Sequence, residues 1–172
     1  MYRVLLVEDE PLILEGLCMA TPWARYGCTV AGKAYNAEEA ERLIVELRPD
    51  IVITDINMPG GSGLELIERM KGRCGCEFII LSGYDQFEYA KKAVFLGVKG
   101  YILKPLDEEE LRTVLESAIR SLEQKRAGAQ PALVYNEGNT TAERYLQRAC
   151  AWMEEHCDEQ ITLRHVASEL KI

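Results

Sequence analysis

Five short apolar runs, separated by amphipathic stretches, constrain this chain more than any other feature of it. They are Val4 to Val7, Thr29 to Ala31, Ile51 to Thr54, Phe78 to Leu81 and Tyr101 to Leu103. Runs of this length and character suit strands buried on both faces of a parallel sheet. The segments between them carry helical spacing. Asn36 with Glu39 predicts a capping box, followed by the stripe Ala40, Leu43, Ile44 and Leu47, and Pro49 blocks continuation. Asp107 with Glu110 repeats the device ahead of Leu111, Val114, Leu115, Ala118, Ile119 and Leu122. Asp85 is expected to cap a further helix that ends near Gly97. Five strand–helix units in series imply right-handed crossovers. The expected fold is α/β, a doubly wound five-stranded parallel sheet with helices on both faces.

The pattern stops near Arg126. Residues 127–140 carry Gly128, Pro131, Gly138 and Asn139 without sustained periodicity and read as a linker. Beyond it, Tyr145, Leu146, Ala149, Trp152 and Met153 form one helical stripe, and Leu163, Val166, Ala167 and Leu170 begin another. Two short helices can hardly bury their stripes alone, so residues 141–172 read as a domain cut off early. With 172 residues, the chain has room for one ordinary domain and a remainder. A formal net charge of -8 argues against non-specific nucleic-acid binding, which needs clustered Lys and Arg. The N-terminal apolar run turns acidic at Glu8, too soon for a signal peptide, and no later run approaches membrane-spanning length. A cytoplasmic protein without membrane contact is expected. The six cysteines include no CxxC pair; Cys74-Gly75-Cys76 is the only close one. Reduced thiols are the expectation over a zinc site or a disulfide framework. His156 and His165 stand far from the other candidate residues and read as surface or packing groups.

In an open parallel sheet the functional crevice lies at the carboxyl ends of the strands. Strand one leads into Glu8-Asp9-Glu10, strand three into Asp55-Ile56-Asn57-Met58-Pro59, strand four into Ser82-Gly83, and strand five into Lys104-Pro105. Crowded carboxylates are unfavourable unless a cation neutralises them, and Mg²⁺ is the natural hard cation for oxygen ligands. A carboxylate beside such an ion can act as a nucleophile toward phosphorus. Lys104 and Ser82 would then balance and bind the transferred oxygens. Singly, each group has a plain alternative: a solvated helix start, a turn, a loop, a surface lysine. Together they would require four coincidences on one sheet edge.

Val4-Leu5-Leu6-Val7-Glu8-Asp9-Glu10, Asp55-Ile56-Asn57-Met58-Pro59-Gly60 through Gly63, Leu81-Ser82-Gly83 and Tyr101-Ile102-Leu103-Lys104-Pro105 carry a resemblance to a known family. Residues 1–126 resemble the receiver domain of two-component response regulators. The resemblance implies a flavodoxin-like sheet of order 2-1-3-4-5 and phosphoryl transfer from a sensor histidine kinase to Asp55. It also implies Mg²⁺ held by Glu8, Asp9, Asp55 and the Asn57 backbone carbonyl, and phosphoryl contacts from Ser82 and Lys104. Ser82 and Tyr101 match the family's switch positions, and Pro105 matches a proline usually preceded by a cis bond. Glu8 stands where Asp is frequent and Ser82 where Thr is common; both keep the needed oxygen. Such a chain is a phosphoacceptor switch rather than an enzyme, catalysing only its own phosphorylation and dephosphorylation. The family also implies a homodimer through the face of the fourth helix, fifth strand and fifth helix.

Leu81 to Ala90 is similar to receivers fused to AraC-type domains. Residues 141–172, with Ala151-Trp152-Met153-Glu154-Glu155-His156 and Ile161 to Ala167, resemble the opening of an AraC-type helix-turn-helix domain. The recognition helix would follow Ile172. Four basic and six acidic residues in this stretch predict no DNA binding by the fragment, only by the full-length transcription regulator. A plain helical dimerisation appendage is the alternative. Two rival chemistries fit less well. A haloacid-dehalogenase-type phosphatase wants a second Asp as general acid two residues after its nucleophile, and Asn57 stands there. A flavin carrier needs an anion nest after strand one, where Glu8-Asp9-Glu10 would repel phosphate. A structural pseudo-receiver has little reason to keep the acids, Ser82 and Lys104 together.

Overall fold

The computed structural model describes residues 1–83 and 87–127. Ten main elements alternate along the chain: β1 (Tyr2–Val7), α1 (Pro11–Ala20), β2 (Cys28–Ala34), α2 (Ala37–Leu47), β3 (Ile51–Asp55), α3 (Gly63–Met70), β4 (Glu77–Ser82), α4 (Phe87–Leu96), β5 (Gly100–Leu103) and α5 (Glu108–Arg126). The strands pair in the order β2-β1-β3-β4-β5, all parallel. This is the doubly wound sheet expected from the apolar runs, in the sheet order that the resemblance implies.

Alternation along each strand distributes side chains to two separate cores. In β1, Leu5 and Val7 join Val52, Phe78 and Ile80 beneath α2, α3 and α4. Val4 and Leu6 point the other way, with Ile51, Ile53, Ile79, Leu81 and Ile102 beneath α1 and α5. Burying one such side chain fully is worth about 1.5–3 kcal/mol, so both cores together stabilise strands too short to stand alone. Residues of β3 and β4 are buried throughout, which explains their unbroken apolar runs.

The edge strand differs. Thr29 to Ala31 is only the middle of β2, which runs from Cys28 to Ala34. Val4 pairs with Val30 and Leu5 with Gly32, so Ala31 is skipped in a bulge. Gly32 interrupts the apolar run where a Cβ would stand 2.6 Å from Leu47 Cδ1, and Lys33 interrupts it by reaching Glu15 at 2.7 Å. Strand β3 extends one residue further than its apolar run, taking in Asp55.

Helix starts follow side-chain capping. Asn36 Oδ1 accepts from the Glu39 N–H at 2.8 Å, while Glu39 Oε2 accepts from Tyr35, one residue before the cap. The return arm of the expected box is thus displaced. Asp107 Oδ1 accepts from the Glu110 N–H at 2.9 Å. A full box that the spacing also encodes joins Ser62 and Glu65 at the start of α3. Helix α4 ends at Leu96, where Gly97 takes φ +69 and its N–H reaches the Val94 carbonyl. The expected cap at Asp85, the linker beyond Ala127 and the tail with His156 and His165 lie outside the described residues. Among the described residues no helix is long and apolar enough to cross a membrane.

Candidate functional site

Because all five strands run in one direction, their carboxyl ends share one rim of the sheet. Glu8 follows β1, Asp55 closes β3, Ser82 closes β4 and Lys104 follows β5. Glu8 is 3 % exposed, Asp55 7 % and Ser82 1 %. Carboxylates are almost never this buried unless paired. Here one ammonium serves two of them: Lys104 Nζ lies 2.6 Å from Glu8 Oε2 and 2.7 Å from Asp55 Oδ1.

The second oxygen of Asp55 is also held. The Asn57 N–H donates to Asp55 Oδ2 at 2.7 Å. Beneath the side chain, the Thr54 hydroxyl donates to the Asp55 carbonyl at 2.9 Å, and the Gly63 N–H donates to the Ile56 carbonyl at 2.8 Å. A Cβ on Gly63 would stand 2.0 Å from the Asp55 carbonyl oxygen, so only glycine lets α3 start this close to the acceptor strand. Ser82 joins the cluster through its backbone, its carbonyl accepting from the Lys104 N–H at 2.7 Å. The Lys104–Pro105 peptide bond is cis. Asp9, half-buried, lines an adjacent open cleft with Asn57, Met58, Pro59, Ser62 and Glu65. Tyr101 is half-buried against the core beneath α2, α3 and α4, alongside Tyr89 and Val98.

Burial pushes the Glu8 carboxyl above its ordinary range, and the nearby Asp55 charge adds to that; Lys104 pulls the other way without prevailing. For Lys104, burial opposes the charge, but hydrogen bonds to Asp55 and Glu8 outweigh it and raise the ammonium above its usual value. The site is therefore a buried, hydrogen-bonded pair of carboxylates with one cation between them. Two negative charges against one positive leave it under-neutralised.

Among the described residues, no three Asp, Glu, His or Cys side chains form a ready-made metal cluster. Mg²⁺ does not need one: it commonly takes one or two carboxylates and completes its shell with water and phosphate oxygens. The charge deficit at Glu8 and Asp55, with Asp9 and Asn57 lining the next cleft, fits such an ion. The sequence alone singles out Glu8, Asp9, Asp55, Asn57, Ser82, Tyr101, Lys104 and Pro105. It does not foretell the Lys104–Glu8 pair, which bridges 96 positions, or the Thr54 and Asn57 donors to Asp55. The only local signal for this backing was the glycine at 63.

A family model described as the response regulator receiver domain matches residues 4–116. Among curated proteins, the chain is 44% identical over 126 residues to the uncharacterized transcriptional regulatory protein YesN of Bacillus subtilis, covering 73% of this chain and 34% of that protein. It is 38% identical over 122 residues to the transcriptional regulatory protein HptR of Staphylococcus aureus, covering 71% and 48%. The chain thus spans only a third to a half of the length of these relatives. Among solved structures, the REC domain of AraT, a response regulator from Geobacillus stearothermophilus, superposes with a TM-score of 0.66 at 35% identity, covering 73% of this chain and 98% of that one. A LuxR-family DNA-binding response regulator from Staphylococcus aureus gives 0.63 at 28% identity, covering 69% and 98%. With its fold, its rim of acids and lysine, and a match over residues 4–116, the chain belongs to the response regulator receiver domain family.

Proposed function

We propose that Asp55 is a phosphoacceptor, and that its phosphorylation by a sensor histidine kinase switches this receiver. The observation that carries the reading is the carboxylate itself. It is buried at the end of β3, fixed by the Asn57 N–H, and paired with a lysine it shares with Glu8. A fixed, partly neutralised carboxylate is a preorganised nucleophile.

In this reading Asp55 Oδ attacks phosphorus in line and the donor's leaving group departs. Lys104 then pairs with a phosphoryl oxygen, and the Ser82 hydroxyl donates to another. Glu8, Asp9, Asp55 and the Asn57 carbonyl would hold Mg²⁺, which supplies positive charge against the phosphoryl oxygens. The added charge draws Ser82 toward the acceptor, and Tyr101 turns further into the core. Such a shift reshapes the face of α4, β5 and α5. There Val94, Phe95 and Leu103 are exposed by 50%, 85% and 41%, an apolar surface suited to pairing two copies. The output in the whole protein is transcription control through an AraC-type domain, of which residues 141–172 would supply only the first helices. The names of the relatives as transcriptional regulatory proteins support that part.

The test is intact mass after incubation with Mg²⁺ and a small phosphodonor. Wild type should gain one phosphoryl group and Asp55→Ala none. No gain in wild type, or an equal gain in both, would overturn the reading.

A further inference from the structure

The rim opposite Asp55 carries an unassigned pair of thiols. Cys74 and Cys76 sit in the loop from α3 to β4, and their sulfurs lie 2.8 Å apart, well inside ordinary sulfur–sulfur contact. Cys74 is half-buried, whereas Cys76 is only 6 % exposed and packs into the core beneath α3. The intervening Gly75 has open space where a Cβ would be, so the loop is not jammed by neighbours. A disulfide needs its two sulfurs brought together, and here they are already in contact.

We propose that Cys74 and Cys76 form a dithiol that reduces hydroperoxides and closes into a disulfide within this loop. The two thiols have different roles. Contact with the Cys76 sulfur lowers Cys74 to about 6 against the opposing effect of burial, and the Lys125 charge assists; the greater exposure of Cys74 makes it the thiol an oxidant reaches. The same contact, with burial, holds Cys76 protonated far above the usual thiol range. Cys74 is the attacking thiolate and Cys76 the resolving thiol. In the first step a bond forms between Cys74 sulfur and the terminal peroxide oxygen, the O–O bond breaks, and the alcohol (water, for hydrogen peroxide) leaves with a proton. In the second, Cys76 sulfur attacks the sulfenic sulfur, the S–O bond breaks, and water leaves carrying the Cys76 proton. Two thiols lose two electrons and one peroxide gains them; a small thiol reductant reverses the change.

The other described cysteines lack this arrangement. Cys28 is buried, its thiol directed at the Tyr26 carbonyl and pushed up to about 11 by burial. Cys18 is half-buried, with its backbone carbonyl accepting from the Trp23 indole.

The experiment uses the reduced 172-residue chain, one equivalent of hydrogen peroxide, an alkylating quench, and peptide mapping. Trypsin cleavage after Arg73 and Lys91 leaves both thiols in one peptide. That peptide should lose two hydrogens and regain them with dithiothreitol; Cys74→Ser should leave it unchanged, whereas Cys76→Ser should stop at the sulfenic acid and gain one oxygen. In the unoxidised protein, the alkylation rate of Cys74 should titrate below the ordinary thiol range, and Cys76→Ser should move that midpoint up. The proposal is overturned if the wild-type peptide instead gains oxygen, if its thiols link to another cysteine, or if Cys74 titrates as an ordinary thiol. Phosphodonor labelling of Asp55 should be equal in wild type and both serine variants, so the two proposals fail separately.

Discussion

The two rims of the sheet place acids and bases together in opposite proportions. At the amino rim each carboxylate has its own cation. Arg126 pairs with Asp50, which also accepts from the Arg3 N–H, and Lys125 Nζ stands 2.8 Å from Glu77 Oε1. The Lys125 contact is an ion pair rather than a directed hydrogen bond, since among the described residues Glu77 Oε1 has no partner of hydrogen-bond geometry. Arg126 also covers the Tyr2 ring at 5.2 Å, so the last turn of α5 closes that end of the fold. At the carboxyl rim, Glu8 and Asp55 share Lys104. A balanced pair serves the fold. A cluster one cation short keeps a place for a ligand of matching charge, and that imbalance separates a site from a staple.

Removing the shared cation should have the largest effect. Lys104→Met is expected to slow phosphorylation of Asp55 about 100-fold, the scale of losing one preorganised charge partner. An intact-mass time course checks it, and an undiminished rate would mean that the lysine only staples. The same variant should gain more in melting temperature from added Mg²⁺ than wild type does, because two carboxylates are left without their ammonium.

At the other rim the expected pattern reverses. Lys125→Ala should lower unfolding free energy by about 1 kcal/mol, since it strands a buried Glu77 carboxylate while removing a half-exposed lysine. Denaturant titration measures this, and phosphorylation should be unchanged. A loss of labelling would show that the two rims are not independent.

The smallest effect is a pH signature. Glu8 has its folded value raised, chiefly by burial. A group raised in this way contributes stability that is fully present below its unfolded value and is lost as pH rises through the folded one. Glu8→Gln cannot lose a proton and so escapes that loss. The variant should melt higher than wild type near neutral pH, with the gap closing as pH falls into the ordinary carboxylate range. A gap that widens on acidification would contradict the sign.

Much of this was legible in the residues, for reasons that differ along the chain. Strands β3 and β4 are covered on both faces, so burial wrote itself as unbroken apolar runs, and the residue after each run falls at the rim by construction. That is why Asp55 and Ser82 could be singled out; Lys104 follows the half-covered β5 and stood out by its place after that run and before Pro105. Strand β2 is an edge, and Gly32 with Lys33 hid its second half. Helix α1 opens with Pro11 and exposes Leu12 and Met19, which blurs the stripe that buries Leu14 and Leu17. Helix α3 carries a full capping box at Ser62 and Glu65, yet follows directly on a tiny antiparallel ladder between Asn57–Met58 and Gly61–Ser62. The balance of charge was the least legible feature. No local pattern states that one lysine would serve two acids lying 49 and 96 positions away.

The contact between Gly63 and the Asp55 carbonyl carries a mechanical consequence. With no room for even a methyl group, the end of β3 and the first turn of α3 form a single anvil, pinned further by Thr54 and by the Gly63 bond to Ile56. On the proposed phosphorylation of Asp55, the added charge would meet little give beneath it. The proposed response would then be taken up sideways, by the β4 and β5 ends, where the Lys104 N–H donates to the Ser82 carbonyl.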